Sequence, residues 1–304
     1  MFLVALGLAG LLFGVGSSEV RKFENAAAKD ISSRLQGDAK QVKVRTKLDP
    51  FQAIGGRLKS GTITASQFST DGLPFFTQPD GSKRGRLDEL KIQLSDFELT
   101  GLKVKRLESR IPDCRFDFGL AQRKGQIRLT KSGIGTGSVE LEQEALKEFV
   151  LKRFHTISKL KVNLEKSQAT FEGTGRFVAF QADFRLVGQL VSLDGNTIVL
   201  KDAKVFVGDQ EGNAIVTKAI LDLLNPVLDL DKDLKLHGAI RIQKLELEKG
   251  TLKASGIAKV PDQPAMAPEM PLPPSLAFLN PIDIAAKVAA IDLADHRTPQ
   301  LPSL

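Results

Sequence analysis

The sequence predicts an α+β fold in which a long curved antiparallel β-sheet wraps around or packs on amphipathic helices. Three observations predict it. Apolar residues recur with period two along most of the chain, the pattern of half-buried strands. Three segments switch to three- and four-residue spacing, the pattern of helices with one apolar face. Hydrophobic residues make up 42% of the 304 residues, enough for a sizeable core and too many for a disordered chain.

Phe2 to Gly16 reads FLVALGLAGLLFGVG and carries no charge. A helix of that length rises about 22 Å, short of the ~30 Å hydrocarbon layer. The expectation over 1–16 is a signal peptide or short membrane anchor, with Gly14 and Gly16 as small residues before a cleavage point. No cysteine follows the run, so a bacterial lipoprotein anchor is excluded. From Ser17 to Gln36, Val20, Phe23, Ala27, Ile31 and Leu35 mark an amphipathic helix that Gly37 can close.

From Gln41 the period becomes two. Val42, Val44, Thr46 and Leu48 point one way, and Lys43, Arg45 and Lys47 the other. Alternating runs continue at Gly61–Phe68, Leu90–Leu94, Phe97–Val104, Cys114–Phe118 and Gln126–Thr130, with turns such as Asp71-Gly72 and Asp80-Gly81 between them. This reads as an antiparallel meander. Ser138 to about Ser158 reads as a second helix, with Leu141, Ala145, Leu146, Phe149, Val150 and Phe154 in its apolar stripe. Strands resume at Lys159–Leu164, Ala169–Phe171, Phe177–Val187, Ser192–Leu193 and Thr197–Val207, the last two joined by an Asp194-Gly195-Asn196 hairpin turn. A third helix spans about Gly212 to Leu224, and the last strands are Lys235–Leu247 and Thr251–Ala258. Residues 17–260 thus form one domain. Nine of the fourteen prolines fall in 261–304, which reads as a Pro-rich tail with a short helical pattern at Pro281–Asp295.

A weak repeat starts at Arg57, Leu164 and Leu247: Arg-Leu-Lys or Leu-Glu-Lys, a turn, then an alternating strand. Duplication and shared turn chemistry both account for it.

The sequence offers little to catalysis. A lone cysteine, Cys114, rules out an intramolecular disulfide and a CxxC site, and reads as a buried thiol. His155, His237 and His296 lack ligand spacing. Gly133-Ile-Gly135-Thr-Gly137-Ser138 sits between a strand and a helix, as a phosphate-cradling loop does, but its spacing is wrong. It reads as a flexible loop whose Ser138 caps the helix. Asp229, Asp231 and Asp233 lack the rest of a calcium loop and read as a solvated acidic turn. No catalytic residue, metal or cofactor is expected.

Charge is more informative. The net charge is +7, and residues 38–131 hold 19 Lys and Arg against 11 Asp and Glu. Lys43, Arg45 and Lys47, then Lys83, Arg84 and Arg86, and then Lys103, Lys105 and Arg106 are the main groups. Such a surface attracts phosphates of lipid headgroups or of nucleic acid. Nucleic acid is disfavoured, because Tyr and Trp are absent, the phenylalanines fall in apolar patterns, and the N-terminus looks exported.

Several of these features occur together in one known family. They are the apolar N-terminus, the Val20–Gln36 helix ending at Gly37, the Val42–Leu48 run and the Gly55-to-Gly61 strand opening. To these add the Gln126–Phe154 unit and the closing Leu245–Gly256 unit. With them the chain resembles the bacterial phospholipid-binding family, long called a domain of unknown function, that includes the mycobacterial envelope protein needed for lipomannan elongation. The likeness covers about residues 1–260 and leaves out the tail. It implies a tubular-lipid-binding-like architecture and non-enzymatic phospholipid binding in the periplasm or on the outer face of the inner membrane.

On that reading acyl chains lie in an apolar groove, for which the candidates are Phe116, Phe118, Phe149, Phe154, Ile215, Ile220 and Leu224. Lys43, Arg45, Lys47, Lys83, Arg84 and Arg86 are the candidates for holding the headgroup and the membrane surface. The alternative is that the same apolar faces close on themselves. The chain is then a scaffolding envelope protein with a solid β-core and a Pro-rich tail that engages a protein partner.

Overall fold

Two β-sheets organise the chain. The computed structural model describes residues 18–48, 56–72, 84–177 and 180–261. The expected N-terminal segment 1–16, and the tail beyond Pro261, lie outside the described residues.

Sheet A runs in the order β1 (Gln41–Leu48), β2 (Arg57–Ser66), β4 (Arg84–Leu99), β5 (Leu102–Asp117), β7 (Gly135–Glu142), β15 (Thr251–Ala258) and β14 (Ile240–Glu248). β3 (Ser69–Thr70) adds to β4, and β6 (Leu129–Lys131) to β5. Sheet B runs β12 (Gln210–Glu211), β11 (Thr197–Val207), β10 (Phe180–Leu193), β9 (Gln168–Phe177) and β8 (Ile157–Glu165), with β13 (Leu228–Asp229) on β11. The fold is therefore mostly sheet with a few helices, and the pairing is antiparallel with one correction. β2 and β3 both run parallel to β4. Past Ser66 the chain continues along the far half of β4 as β3, then returns to begin β4 beside Arg57, so no hairpin joins them.

Helix α1 (Ser18–Ser33) follows its predicted stripe and lays Ala27 and Ile31 into the core beside Leu35. It is tied down by charge: Arg128, 3% exposed, donates to both carboxylate oxygens of Asp30 at 2.6 and 3.0 Å. A second helix, α2 (Phe118–Lys124), is capped by the Asp117 carboxylate, which accepts from the Leu120 amide, and was not predicted.

Of the short runs expected between Leu90 and Phe118, Leu90–Leu94 lies in β4 and Cys114–Asp117 ends β5, each a sixteen-residue strand, whereas Phe97–Val104 is not one strand but spans the turn at Thr100 and Gly101 that joins them. Asp96 and Asp113 take φ of +49° and +50°. These left-handed residues shift the buried set by one. On β4 it passes from Leu90 and Leu94 to Phe97 and Leu99; on β5 it passes from Ile111 to Cys114 and Phe116. The sequence pattern breaks where the strands kink.

The expected second helix begins late. Residues Gly135–Glu142 form β7, bonded on one side to β5 and on the other to β15. Only Gln143–Arg153 is helical (α3). The Gly133–Ser138 segment is thus loop and strand, and Ser138 caps no helix. A Cβ on Gly135 would stand 2.1 Å from the Arg110 carbonyl oxygen, so glycine is what lets β7 and β5 approach. The third helix, α4 (Ala214–Leu224), lays Ile220 and Leu224 into the core. The expected strand from Lys235 starts only at Ile240, because Lys235 and His237 take φ of +55° and +48°. Of the three repeat copies, those at Leu164 and Leu247 make two-residue hairpins, Glu165 pairing with Gln168 and Glu248 with Thr251. The copy at Arg57 lies within β2.

The two sheets are linked at α3. The Gly250 amide donates to the Leu164 carbonyl, and the Gln143 amide donates to the Gly250 carbonyl. No helix among the described residues is long and apolar enough to cross a membrane.

Candidate functional site

Cross-strand register in sheet A builds a trough. In one row, Leu94 of β4 pairs with Leu107 of β5, Leu107 with Val139 of β7, and Val139 with Ala254 of β15. In the next row, Ile92 pairs with Ser109, Ser109 with Gly137, Gly137 with Gly256, and Gly256 with Ile242 of β14. In the third, Ala258 of β15 pairs with Ile240. Residues on one face of a strand alternate, and direct partners across a ladder share a face. The middle of this face is therefore nearly bare: Ser109, Gly137, Ala254, Gly256 and Ala258 present little side chain. Ile92, Leu94 and Leu107 wall it on one side, and Ile240 and Ile242 on the other.

The result is an apolar cleft with a cavity volume of about 120 Å³, with Ile111, Leu129, Val260 and Pro261 also lining it. Its walls are unevenly buried. Ile242 and Leu94 are each 8% exposed, whereas Ile92, Leu107, Val139 and Ile240 are half-buried apolar residues facing it. The floor from Ala254 to Ala258 spans four strand steps, about 13 Å. An extended chain advances about 1.2 Å per backbone bond, so the floor matches roughly ten methylenes. Glu108 and Lys259 are the charged residues that line the cleft.

The seven apolar candidates lie elsewhere. Phe149 is buried on α3, and Phe154 follows it half-buried, with the Arg153 guanidinium 5.1 Å from its ring centre. Phe116 is buried on β5, and its ring meets that of half-buried Phe118 edge-on at 6.4 Å. Ile220 and Leu224 are core residues of α4, while Ile215 on the same helix is 80% exposed. None of the seven lines the cleft.

The basic candidates divide. Lys43, Arg45 and Lys47 stand exposed on one face of β1. Arg45 meets buried Glu24 at 2.9 Å, and Glu24 also accepts from the Thr46 amide at 2.6 Å, satisfying a donor of this edge strand. Arg86 pairs with Asp88 and Asp113. Arg84 opens β4, and Lys83 lies outside the described residues. In the third group, Glu148 holds the Lys103 ammonium above its ordinary range through a hydrogen bond and its charge, and Asp96 does the same for Lys105. Among the described residues, Lys43, Arg45, Lys47, Arg86, Lys103, Lys105 and Arg106 do not line the cleft.

The acidic turn is corrected. Asp229 is 4% exposed, and its carboxylate accepts from the Asp231 and Lys232 amides at 3.0 Å and from the Asn196 side chain at 3.2 Å. Asp233 pairs with Arg153, and Asp231 with Arg241. These carboxylates staple loops together; they do not stand in solvent. Among the described residues no cluster of three or more His, Cys, Asp or Glu is placed to hold a metal ion. Cys114 is fully buried, and burial, with the nearby Asp113 charge, pushes its thiol up to about 12.

The residues that line the cleft were missed because the sequence signal for them is small side chains. Gly135-Thr-Gly137 and Ala254-Ser-Gly256 both place small residues at alternate strand positions, and only the β7–β15 register brings them face to face.

A family model described as LmeA-like phospholipid-binding matches residues 69–257, a span that holds most of the cleft. No curated protein matches the chain, and no solved structure does.

Proposed function

The chain belongs to the LmeA-like phospholipid-binding family, and from that premise we propose that it is a non-enzymatic phospholipid-binding protein of the bacterial cell envelope that holds acyl chain in the sheet A cleft. One observation carries the reading: the ladder of small residues at Ser109, Gly137 and Gly256, flanked by isoleucines, which leaves an apolar trough open to solvent. Each methylene moved from water into such a site is worth about 0.8 kcal/mol, so roughly ten contribute on the order of 8 kcal/mol before the cost of ordering the chain. The family supports lipid as the ligand. The uncharged run Phe2–Gly16 supports an extracytoplasmic location. The exposed row Lys43, Arg45 and Lys47 supports contact with anionic headgroups. The competing reading, a scaffold with a solid core, has no use for an open trough in its larger sheet.

The test is direct. The purified full chain, extracted with organic solvent and examined by mass spectrometry, is expected to yield phospholipid near one per chain. A blank extract from folded protein, with no uptake of added lipid, overturns the reading.

A further inference from the structure

The described residues include three large apolar side chains that stand exposed: Ile134 at 72%, Leu193 at 59% and Ile215 at 80%. Of the three, only Ile134 lies on a segment whose own flanks line the cleft; the turn after Leu193 meets cleft-lining Ile242 through the Gly195 carbonyl. It ends the loop 132–134 between β6 and β7, and both flanks of that loop belong to one end of the trough. Leu129 lines the cleft three residues before the loop, and Gly137 lines it three residues after Ile134. The loop is also pinned there. Ser132 Oγ accepts from the amide of cleft-lining Val260 at 2.9 Å, and the Gly133 amide donates to the Pro112 carbonyl at 2.9 Å. Gly135, immediately after Ile134, pairs with cleft-lining Ala258.

Cations surround this end. Lys131 ends β6 just before the loop, its partner across the ladder is Arg115, and Arg110 pairs with Thr136. All three are exposed, and no ion pair joins any of them to a carboxylate among the described residues. Asp113, which stands beside Gly133 of the loop, is paired with Arg86. An exposed isoleucine held on a braced loop and ringed by unneutralised Lys and Arg matches a bilayer interface. The apolar tip enters the acyl boundary while the cations meet anionic phosphate.

We propose that the 132–134 loop is the membrane-docking tip of the protein, inserting Ile134 into an anionic phospholipid bilayer and setting that end of the cleft against the lipid it loads. The proposal rests on the cleft being the lipid site, and it adds the place of entry. The chain contains no Trp and no Tyr, so a single introduced Trp reports its own surroundings alone.

The full chain carrying Ile134→Trp is mixed with vesicles of phosphatidylglycerol and phosphatidylcholine brominated on their acyl chains. Its emission is expected to move to shorter wavelength and to be quenched, more weakly with phosphatidylcholine alone. Ile215→Trp, equally exposed on α4, is expected to stay unquenched. Ile134→Asp is expected to weaken binding to the anionic vesicles by about tenfold, because an acid replaces an apolar side chain at the interface. Emission from position 134 that stays water-like with vesicles present, or quenching as strong at 215, overturns the proposal. Uptake of a monomeric lysophospholipid, measured without vesicles, separates the two readings. Uptake without quenching at 134 retains the cleft and removes the tip; quenching without uptake retains the tip and removes the cleft.

Discussion

Filling the trough should abolish lipid binding without unfolding the protein. Ala254 is the position to fill: it is 4% exposed, lies on the cleft floor, and faces Val139 across the ladder. Ala254→Phe adds a six-carbon ring where the bound chain would lie. If that ring displaces about four of roughly ten methylenes, the loss is about 3 kcal/mol, or roughly 200-fold in affinity. The ring also risks overpacking, which costs about 1–3 kcal/mol where the walls cannot part. A control for lost stability is therefore needed. Ile220→Val, in the core on α4 and away from the cleft, costs about 0.5–1.5 kcal/mol and should leave lipid binding intact. The assays are titration of a fluorescent acyl probe and lipid counting by mass spectrometry, each beside a thermal melt. If folded Ala254→Phe protein binds lipid as tightly as the unaltered chain, the acyl chain does not lie between β5, β7 and β15, and the reasoning from register fails.

Three further outcomes test other parts of the structure. Asp30→Ala leaves the Arg128 guanidinium, 3% exposed, without its carboxylate; urea unfolding should show a loss of about 3–5 kcal/mol, against a much smaller loss when Arg128→Met accompanies Asp30→Leu. The Cys114 thiol, pushed up to about 12 by burial, should resist thiol reagents at pH 8 until the chain unfolds. The unfolded thiol ionises near 8.5 while the folded one stays protonated, so stability should fall as pH rises between those values, by about 2 kcal/mol near pH 10. Melts of Cys114→Ala, compared across that range, should lose this slope. Finally, residues 1–16 fused to a reporter active only outside the cytoplasm should export it in a bacterial host, and a reporter retained in the cytoplasm counts against the envelope location.

Much of the architecture was legible because many elements satisfy a local rule and the tertiary rule at once. β11 and β15 occupy the predicted Thr197–Val207 and Thr251–Ala258. Each is an alternating run preceded by a glycine turn, and Gly195 and Gly250 take the positive φ that such turns require. Where local and tertiary preferences diverge, the sequence misleads. Leu141 and Leu146 suggested one helix, but Leu141 is on β7 and Leu146 on α3. A segment flanked by two strands gains a ladder on each side, and those bonds outweigh a helical spacing of apolar residues. The splitting of β4 and β5 into short runs was a correct reading of periodicity. It missed that left-handed Asp96 and Asp113 can shift the phase without ending a strand, and it carried the run Phe97–Val104 across the turn at Thr100 and Gly101.

The cleft was hidden for a different reason. Reading for apolar side chains finds residues that fill space, and so it selected Phe116, Phe149 and Ile220, which the fold uses as core. A concavity in a sheet is made where side chains are missing, and missing side chains produce no hydrophobic periodicity. Gly137 alone reads as a weak point in a strand, and Gly256 alone as a close approach of backbones. Only the register that sets Gly137 beside Gly256, with Ser109 and Ile92 on one flank and Ile242 on the other, turns two weak points into one trough. That register joins β7 to a strand from the far end of the domain, so no window of sequence contains it. On the proposed function, a floor of glycine and alanine with Ser109 among it offers contact along a line, which suits an alkyl chain, and discrimination among headgroups falls to the charged lining residues Glu108 and Lys259.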